Sequence, residues 1–526
     1  MTTGRLGISP RHQARRSPRF QRFTERPIFS RPETAVGNVV GLTLVIAGAG
    51  MLIAGVVDRL DDGPDVSSLL GPGVGFLVPG LLLWRRTTVP ARLSTPTIYA
   101  TVLSAWVAFC LAAAVPYFLS DTLARFDLAL FEAVAGFTTT ASSVVSDVGG
   151  LSRGMLLWRS LTQWLGGIGV IVFVISVLPF IRAAGTEHLG GLARAEDRLA
   201  PRVRETAKRL VLVYVTFTLV VSALYFAFGM TIFDAVAHSF TTVSTGGFST
   251  HGASIAFFDS PALEWTVIAA MVLAGGSFAL YWRALRGKPL VILRSVEFRV
   301  YLLLLALVSG AALLWSAGEN GWSADAVRRT IFGVVSIGTT TGYAIVDYNT
   351  WPGAVQLLLL FLMAIGAMTG STAGGFKVFR LMGIVGHVRR HLFRQLHPRA
   401  VPVVRLGNEV VSDLVISRIL GFFGLFMGVG AAATFLVAAI GTLDLRTSIS
   451  VVATSIGNVG PALGSLGSSG QYFDAHAGVR GVLMVVMLAG RLDIYPVLLG
   501  IVPLVRFIGD RLPPPLAKAF VRLGRG

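Results

Sequence analysis

Four short segments of this 526-residue chain combine hydroxyl side chains with a tight, mostly glycine-bearing turn, and each follows a short apolar stretch. They read Thr138-Thr139-Thr140-Ala141-Ser142, Ser244-Thr245-Gly246-Gly247-Phe248, Thr339-Thr340-Thr341-Gly342-Tyr343 and Asn458-Val459-Gly460-Pro461. Residues of these types can replace the hydration shell of a monovalent cation, because successive backbone carbonyls, aided by threonine hydroxyls, supply its oxygens. Turning neighbouring carbonyls the same way requires backbone angles that glycine reaches cheaply and other residues reach at about 1 kcal/mol or more. Gly246, Gly342 and Gly460 are therefore the expected filter centres, preceded by Thr245, Thr341 and Val459. In the first segment Thr140 precedes Ala141, where a methyl group replaces the hydrogen. Potassium held at Thr140, Thr245, Thr341 and Val459 is the ion this chemistry predicts, with sodium as the competitor that Ala141 admits.

The elements around these segments must hold them in a ring. Asp127, Asp234, Asp325 and Asp444 each stand ahead of an apolar stretch of about 10–12 residues that runs into the turn. An aspartate there is expected to cap a helix. Such a helix is too short to cross a bilayer, which takes about 20 apolar residues. It should enter, stop midway and return as a loop, its C-terminal partial negative charge aimed at the cation. Non-helical backbone at that depth is tolerated only inside protein or beside water. Long apolar segments flank each copy, and about ten spans are expected, centred near residues 47, 76, 108, 168, 218, 272, 307, 361, 428 and 490. The expected fold is an all-α polytopic membrane protein with four helix–pore-loop–helix repeats around a pseudo-fourfold pore, preceded by two leading helices. Its parts are a basic arm (1–35), two leading helices (36–95), pore repeats at 96–185, 208–288, 296–393 and 412–508, and a tail (509–526).

Composition and charge narrow the class. Hydrophobic residues make up 53% of the chain and charged residues 14%, while the net charge is +18. Arg and Lys gather in the N-terminal arm, at Arg85, Arg86 and Arg92, between Arg182 and Arg209, between Arg283 and Arg299, from Lys377 to Arg405, and after Arg506. The intervening connections are poor in base, with Asp58, Asp61, Asp62, Asp65, Glu319 and Asp325 among them. By the positive-inside rule the basic connections and both termini are cytoplasmic, which puts every filter turn outside. That alternation with spans is topology rather than nucleic-acid binding. The arginine-rich arm shows no cleavable signal pattern. A lone Cys110 within an apolar span excludes a disulfide framework.

In this order and spacing, the segments resemble the Trk/Ktr/HKT potassium-transporter superfamily, specifically its bacterial Trk-type pore-forming membrane subunit. The likeness is carried by Gly136-Phe137-Thr138-Thr139-Thr140, Trp164-Leu165-Gly166-Gly167-Ile168-Gly169, the second and third filter segments, Asp347 with Trp351-Pro352, Gly370-Ser371-Thr372-Ala373-Gly374-Gly375-Phe376-Lys377, Asn458-Val459-Gly460-Pro461 and Gly490-Arg491-Leu492-Asp493. The resemblance implies potassium uptake across the cytoplasmic (inner) membrane of a bacterium. It also implies a gate below the filter, formed by a break of the third repeat's inner helix at Gly366, Gly370, Gly374 and Gly375, beside Lys377. Arg491 is the pore arginine it implies. The bare residues also fit a small-residue packing face over Gly366 to Gly375 and a structural pair between Arg491 and Asp493. The family further implies a homodimer and a separate cytosolic ring of nucleotide-binding regulatory subunits, docked on basic residues such as Arg389, Arg390 and Arg394. Those residues equally fit contacts with membrane lipid. The resemblance brings no cofactor beyond the transported ion. Ala141 departs from the Trk-type glycine, and sodium-passing plant relatives replace that glycine too.

Glu132 and Asp147 flank the first filter and are expected either to attract cations or to be solvated surface acids. His238 reads as a packed, hydrogen-bonded residue. An inverted-repeat cotransporter would show two opposed repeats and acids within its spans, whereas these four repeats share one direction. An enzyme would need a catalytic set in the spans, and none is apparent.

Overall fold

The computed structural model describes residues 34–509 apart from 91–92, 121, 184–192, 321, 401, 408 and 468–471. Most of the basic arm, the tail after residue 509 and part of the basic run between Arg182 and Arg209 lie outside the described residues. The chain begins with an apolar hairpin, α1 (Ala35–Leu60) and α2 (Val66–Arg86). Repeat 1 holds α3 (Thr95–Leu119), the pore helix α4 (Phe126–Phe137) and α5 (Arg153–Ala183). Repeat 2 holds α6 (Ala193–Ala227), the pore helix α7 (Ile232–Val243), α8 (Pro261–Ala274) and α9 (Phe278–Leu285). After a short α10 (Val291–Arg294), repeat 3 holds α11 (Val296–Asn320), the pore helix α12 (Ala324–Gly338), α13 (Gly353–Ile365) and α14 (Val378–Leu396). Repeat 4 holds α15 (Asp413–Ala439), the pore helix α16 (Leu445–Gly457), α17 (Ala477–Arg491) and α18 (Ile494–Gly509). A two-stranded antiparallel hairpin, β1 (Val404–Leu406) and β2 (Glu409–Val411), joins repeats 3 and 4 and is the one β-sheet among the described residues.

All ten expected span centres fall within helices. The last helix of a repeat, however, is rarely a single rod. The α8–α9 pair bends by 97° and the α17–α18 pair by 112°, while α13 stops at Ile365 and the chain resumes as helix only at Val378. Only α5 runs unbroken. Large side chains such as Phe435, Leu314 and Ile232 point outward at about 70% exposure, the pattern of a surface facing lipid. The pore helices lie inside, and Leu128, Phe131, Val334, Ile337, Val451 and Ile456 are buried on them.

The four aspartates sit at the pore-helix starts in a different manner from that expected. Thr231 and Ser323 are the side-chain caps of α7 and α12, accepting from the N–H groups of Asp234 and Ala326. Asp127, Asp234 and Asp325 occupy the first turn, where their charge complements the helix dipole. Asp444 takes the cap position of α16 but accepts no capping bond. A hydroxyl reaches a nearby N–H in extended backbone as well as a carboxylate does, so the cap passed to Thr231 and Ser323.

Candidate functional site: a ring of four turns above a glycine loop

Every pore helix ends in the same backbone device. The Thr140 N–H donates to the Ala135 carbonyl (2.8 Å), Gly246 to Thr241 (2.7 Å), Thr341 to Ser336 (2.9 Å) and Val459 to Thr454 (2.9 Å). The preceding residue is left-handed in each copy: Thr139 (φ 54°), Thr245 (53°), Thr340 (59°) and Asn458 (52°). So is the following one: Ala141 (61°), Gly247 (80°), Gly342 (85°) and Gly460 (104°). Alternating left-handed and ordinary residues lets successive carbonyls share one side, as a cation filter requires. This register corrects the second segment. Gly247, not Gly246, occupies the position of Ala141, Gly342 and Gly460, and Gly246 stands where Thr140, Thr341 and Val459 stand. Two consecutive glycines left that choice open in the sequence; the left-handed angle of Gly247 and the shorter of the two bonds to Thr241, from Gly246, settle it.

The turns close on each other cyclically. A methyl group on Gly247 would overlap the Thr341 carbonyl oxygen, one on Gly342 the Val459 oxygen, and one on Gly460 the Thr140 oxygen. Asn458 adds a side-chain link, donating to Thr140 Oγ1 (3.0 Å) and to the Met487 carbonyl (2.9 Å). The contact between repeats 1 and 2 differs. There residue 141 carries a methyl group, and Gln163 on α5 donates to the Gly246 carbonyl (2.9 Å) while accepting from the Phe248 N–H (3.0 Å). Both ends of the fully buried Gln163 amide are thus used to hold the second turn.

Below the third and fourth turns lies the segment from Gly366 to Lys377. Gly374 donates to Thr340 Oγ1 (2.9 Å), and Thr372 Oγ1 donates to the Val243 carbonyl (2.9 Å). Gly366, Gly370 and Gly375 all have positive φ, so the backbone here is irregular rather than a packed helix face. Lys377 Nζ donates to the Ala373 carbonyl, which ties the loop's charge to its own backbone. Arg491 reaches the same loop, donating from Nη1 to the Thr372 carbonyl (2.6 Å). It is 5% exposed, and its Nε and Nη2 have no protein partner. The expected alternative partner, Asp493, pairs instead with Arg380 (2.9 Å), whose guanidinium lies 3.9 Å above the Phe422 ring. Gly366, Gly370, Gly374, Gly375, Lys377 and Arg491 are therefore brought together in one place.

Behind the turns are buried polar groups that the sequence did not disclose. Glu132 is fully buried, so it is neither a cation attractor at the mouth nor a solvated acid. Its carboxylate accepts from Arg159 Nη2 (2.8 Å), the Ser143 hydroxyl (3.1 Å) and the Val144 N–H (2.9 Å). Arg159 also donates to the Ser249 carbonyl (3.3 Å) and covers the Phe248 ring at 4.1 Å, so one ion pair fastens two filter segments. Asp147 remains an exposed acid. His238 is packed as expected: Nδ1–H donates to the Asp234 carbonyl (2.8 Å), which leaves Nε2 to accept from the Ser249 hydroxyl (2.9 Å). Tyr343 spans two repeats through its hydroxyl, which lies 2.5 Å from Thr241 Oγ1 and donates to the His238 carbonyl (3.1 Å). The available sequence signal was an arginine and a glutamine, Arg159 and Gln163, one helical turn apart within an otherwise apolar span.

Four re-entrant turns of one chain, ringed by apolar helices with an irregular loop beneath, define a multi-pass membrane transporter rather than an enzyme. The comparisons with known proteins agree. A family model described as "Cation transport protein" (TrkH) matches residues 73–314 and 321–504, so the chain belongs to the TrkH family of cation transport proteins. The Trk system potassium uptake protein TrkH of Halomonas elongata is 37% identical over 389 residues, covering 71% of this chain and 78% of that one. The protein of the same name from Escherichia coli K12 is 32% identical over 483 residues, or 89% and 98% of the two chains. The crystal structure of the potassium transporter TrkH from Vibrio parahaemolyticus superposes with a TM-score of 0.80 at 29% identity, covering 88% of this chain and 97% of that one.

Proposed function

We propose that the chain takes up potassium through a single pore along its pseudo-fourfold axis, with the four turns as selectivity filter. The observation that carries this reading is the fourfold recurrence of one bonded turn, each at the end of a half-crossing helix whose partial negative charge favours a cation. Relatives named for potassium uptake support the choice of ion. The filter carbonyls belong to Thr140, Gly246, Thr341 and Val459 together with their neighbours Ala141, Gly247, Gly342 and Gly460. The loop from Gly366 to Gly375 and Arg491 form the restriction below: a buried guanidinium with two unpartnered nitrogens repels a dehydrated cation until it moves. The basic connections support a filter on the outer face with both termini in the cytoplasm, and relatives named for bacterial potassium uptake support the inner membrane of a bacterium. A homodimer resting on a separate cytosolic nucleotide-binding ring fits the exposed Arg389 and Arg394 on α14.

Ala141 favours a second reading, in which sodium shares the path through a poorly selective filter or as a cotransported ion. Flux from proteoliposomes holding the purified protein, under matched potassium and sodium gradients, separates the two. Potassium flux far above sodium supports the selective pore, and equal fluxes support the shared path. Arg491→Ala should raise the potassium flux at least about tenfold. Silence of both wild type and Arg491→Ala would sink the pore.

A further inference from the structure

Each pore helix carries one residue near its start, 13 positions before the Thr140, Gly246, Thr341 or Val459 position: Asp127, Phe233, Arg328 and Arg446. Each faces the beginning of the last helix of the preceding repeat, counted cyclically. Asp127 accepts from Arg480 on α17 (2.6 Å), and Arg328 donates to Glu264 on α8 (2.7 Å). Phe233 lies under Arg153 of α5 at 5.6 Å. Arg446 meets Gln356 of α13. Glu264, Gln356 and Arg480 are each the fourth residue of their helix, so these contacts are copies of one latch. Two of them join opposite charges. The latch between repeats 3 and 4 joins a cation to a neutral amide whose own N–H groups are already given to the Asn349 carbonyl (2.8 Å) and the Trp351 carbonyl (2.7 Å). Among the described residues no carboxylate pairs with Arg446, and Arg446 is exposed.

Directly below this unpaired cation the surface opens into an apolar groove of about 1010 Å³ between α13, α15 and α16. Leu357, Phe361, Phe426, Ala431, Phe435 and Ile449 are among its lining residues, and almost no polar surface enters it. A smaller cleft of about 440 Å³, bounded by Arg446, Leu360, Leu445 and Ile449, joins the cation to the groove. Leu357, Phe361 and Phe435 are 67%, 52% and 72% exposed, so none of the described residues covers it.

We infer that this is a binding site for one anionic phospholipid, its phosphate on Arg446 and an acyl chain in the groove between repeats 3 and 4. Charge complementarity selects the occupant: in the latch between repeats 2 and 3 Glu264 supplies a carboxylate to Arg328 at this place, and at Arg446 a lipid phosphate supplies the anion that Gln356 does not. The groove below is dry and faces hydrocarbon, which suits a chain and not a soluble anion. The site rests on the membrane position of the protein and not on which ion it carries.

Native mass spectrometry of the full-length protein, titrated with dioleoyl phosphatidylglycerol and with dioleoyl phosphatidylcholine, tests it. Wild type should retain phosphatidylglycerol at about five- to tenfold lower lipid concentration than phosphatidylcholine. Arg446→Gln should erase that difference. Gly430→Phe should lower retention of both lipids, and a side chain there meets nothing within 4 Å at its Cβ, so folding is not at risk. Equal retention of the two lipids by wild type would overturn the site, as would unchanged phosphatidylglycerol preference in Arg446→Gln. If Gly430→Phe shifts only the ratio of monomer to dimer in the same spectra, a second copy covers the groove and the lipid proposal fails. Ion flux is not read, so failure of the pore reading leaves this result standing.

Discussion

The contact between filter segments 1 and 2 and the contact between segments 3 and 4 solve one steric problem in two ways. Between segments 3 and 4 a glycine lets backbone meet backbone, because any methyl group on Gly342 would overlap the Val459 oxygen. Between segments 1 and 2 the equivalent residue is Ala141, held at φ 61°, and a side chain from outside the filter steadies the neighbour through the Gly246 carbonyl and the Phe248 N–H. Close backbone packing fixes one contact from within. Gln163 and the Glu132–Arg159 pair fix the other from behind. A ring of such turns can therefore lose a glycine at one position provided the carbonyl facing that position gains a donor.

The largest expected effect comes from removing the support behind segment 1. Glu132→Ala would strand a buried guanidinium and should cost about 3–5 kcal/mol, seen as a lower unfolding midpoint of detergent-solubilised protein. Preservation of that midpoint would mean Arg159 has another partner. Next is the other contact: Gly342→Ala should lower potassium flux in proteoliposomes about 10- to 100-fold without loss of folded protein. If it matched wild type, backbone packing would not be what shapes segment 3. Gln163→Leu leaves the Gly246 carbonyl without its donor and should reduce potassium-over-sodium selectivity about tenfold, with total flux retained. The mildest change is Ala141→Gly, expected to raise that selectivity about two- to fivefold. A fall in selectivity would show that the methyl group is fitted to this filter rather than tolerated by it.

The support that Glu132→Ala would remove was hidden in the sequence, while the four turns themselves were legible. Four Thr/Ser-rich turns following short apolar stretches are local patterns, and local patterns survive in a one-dimensional reading. The ten span centres did too, since each is a run of apolar residues. What failed were features decided by contacts between distant segments. Gly246 and Gly247 are told apart by backbone angle, since only Gly247 is left-handed. Glu132 looked like an acid of the outer mouth because nothing nearby in sequence announces Arg159, 27 residues on. The aspartates were expected as caps, and the hydroxyls of Thr231 and Ser323 took that place. Breaks in the last helices of repeats 2 and 4 were equally hidden: Gly275-Gly276 and Leu492-Asp493 read as parts of continuous apolar segments until their bends are seen.

Charge at the latch of Asp127 repeats the same logic on a smaller scale. Burial pushes its carboxyl upward, but the hydrogen bonds and charges of Arg480 and Arg125 outweigh that and hold it below the usual carboxylate range. The pair between repeats 4 and 1 accordingly stays charged as pH falls toward that range, and loses its contribution only once Asp127 takes up a proton.

Three repeats end in a jointed helix, and one, through α5, ends in a rigid strut. The strut carries Arg159, Gln163 and Gly167, which touch the second segment, and Gly166, which lies against Phe137 at the end of α4. Any widening beneath the filter can be taken up by elbows on three sides and is resisted on the fourth. If the turns frame the proposed pore, such an aperture would dilate like a door rather than an iris, hinged along α5.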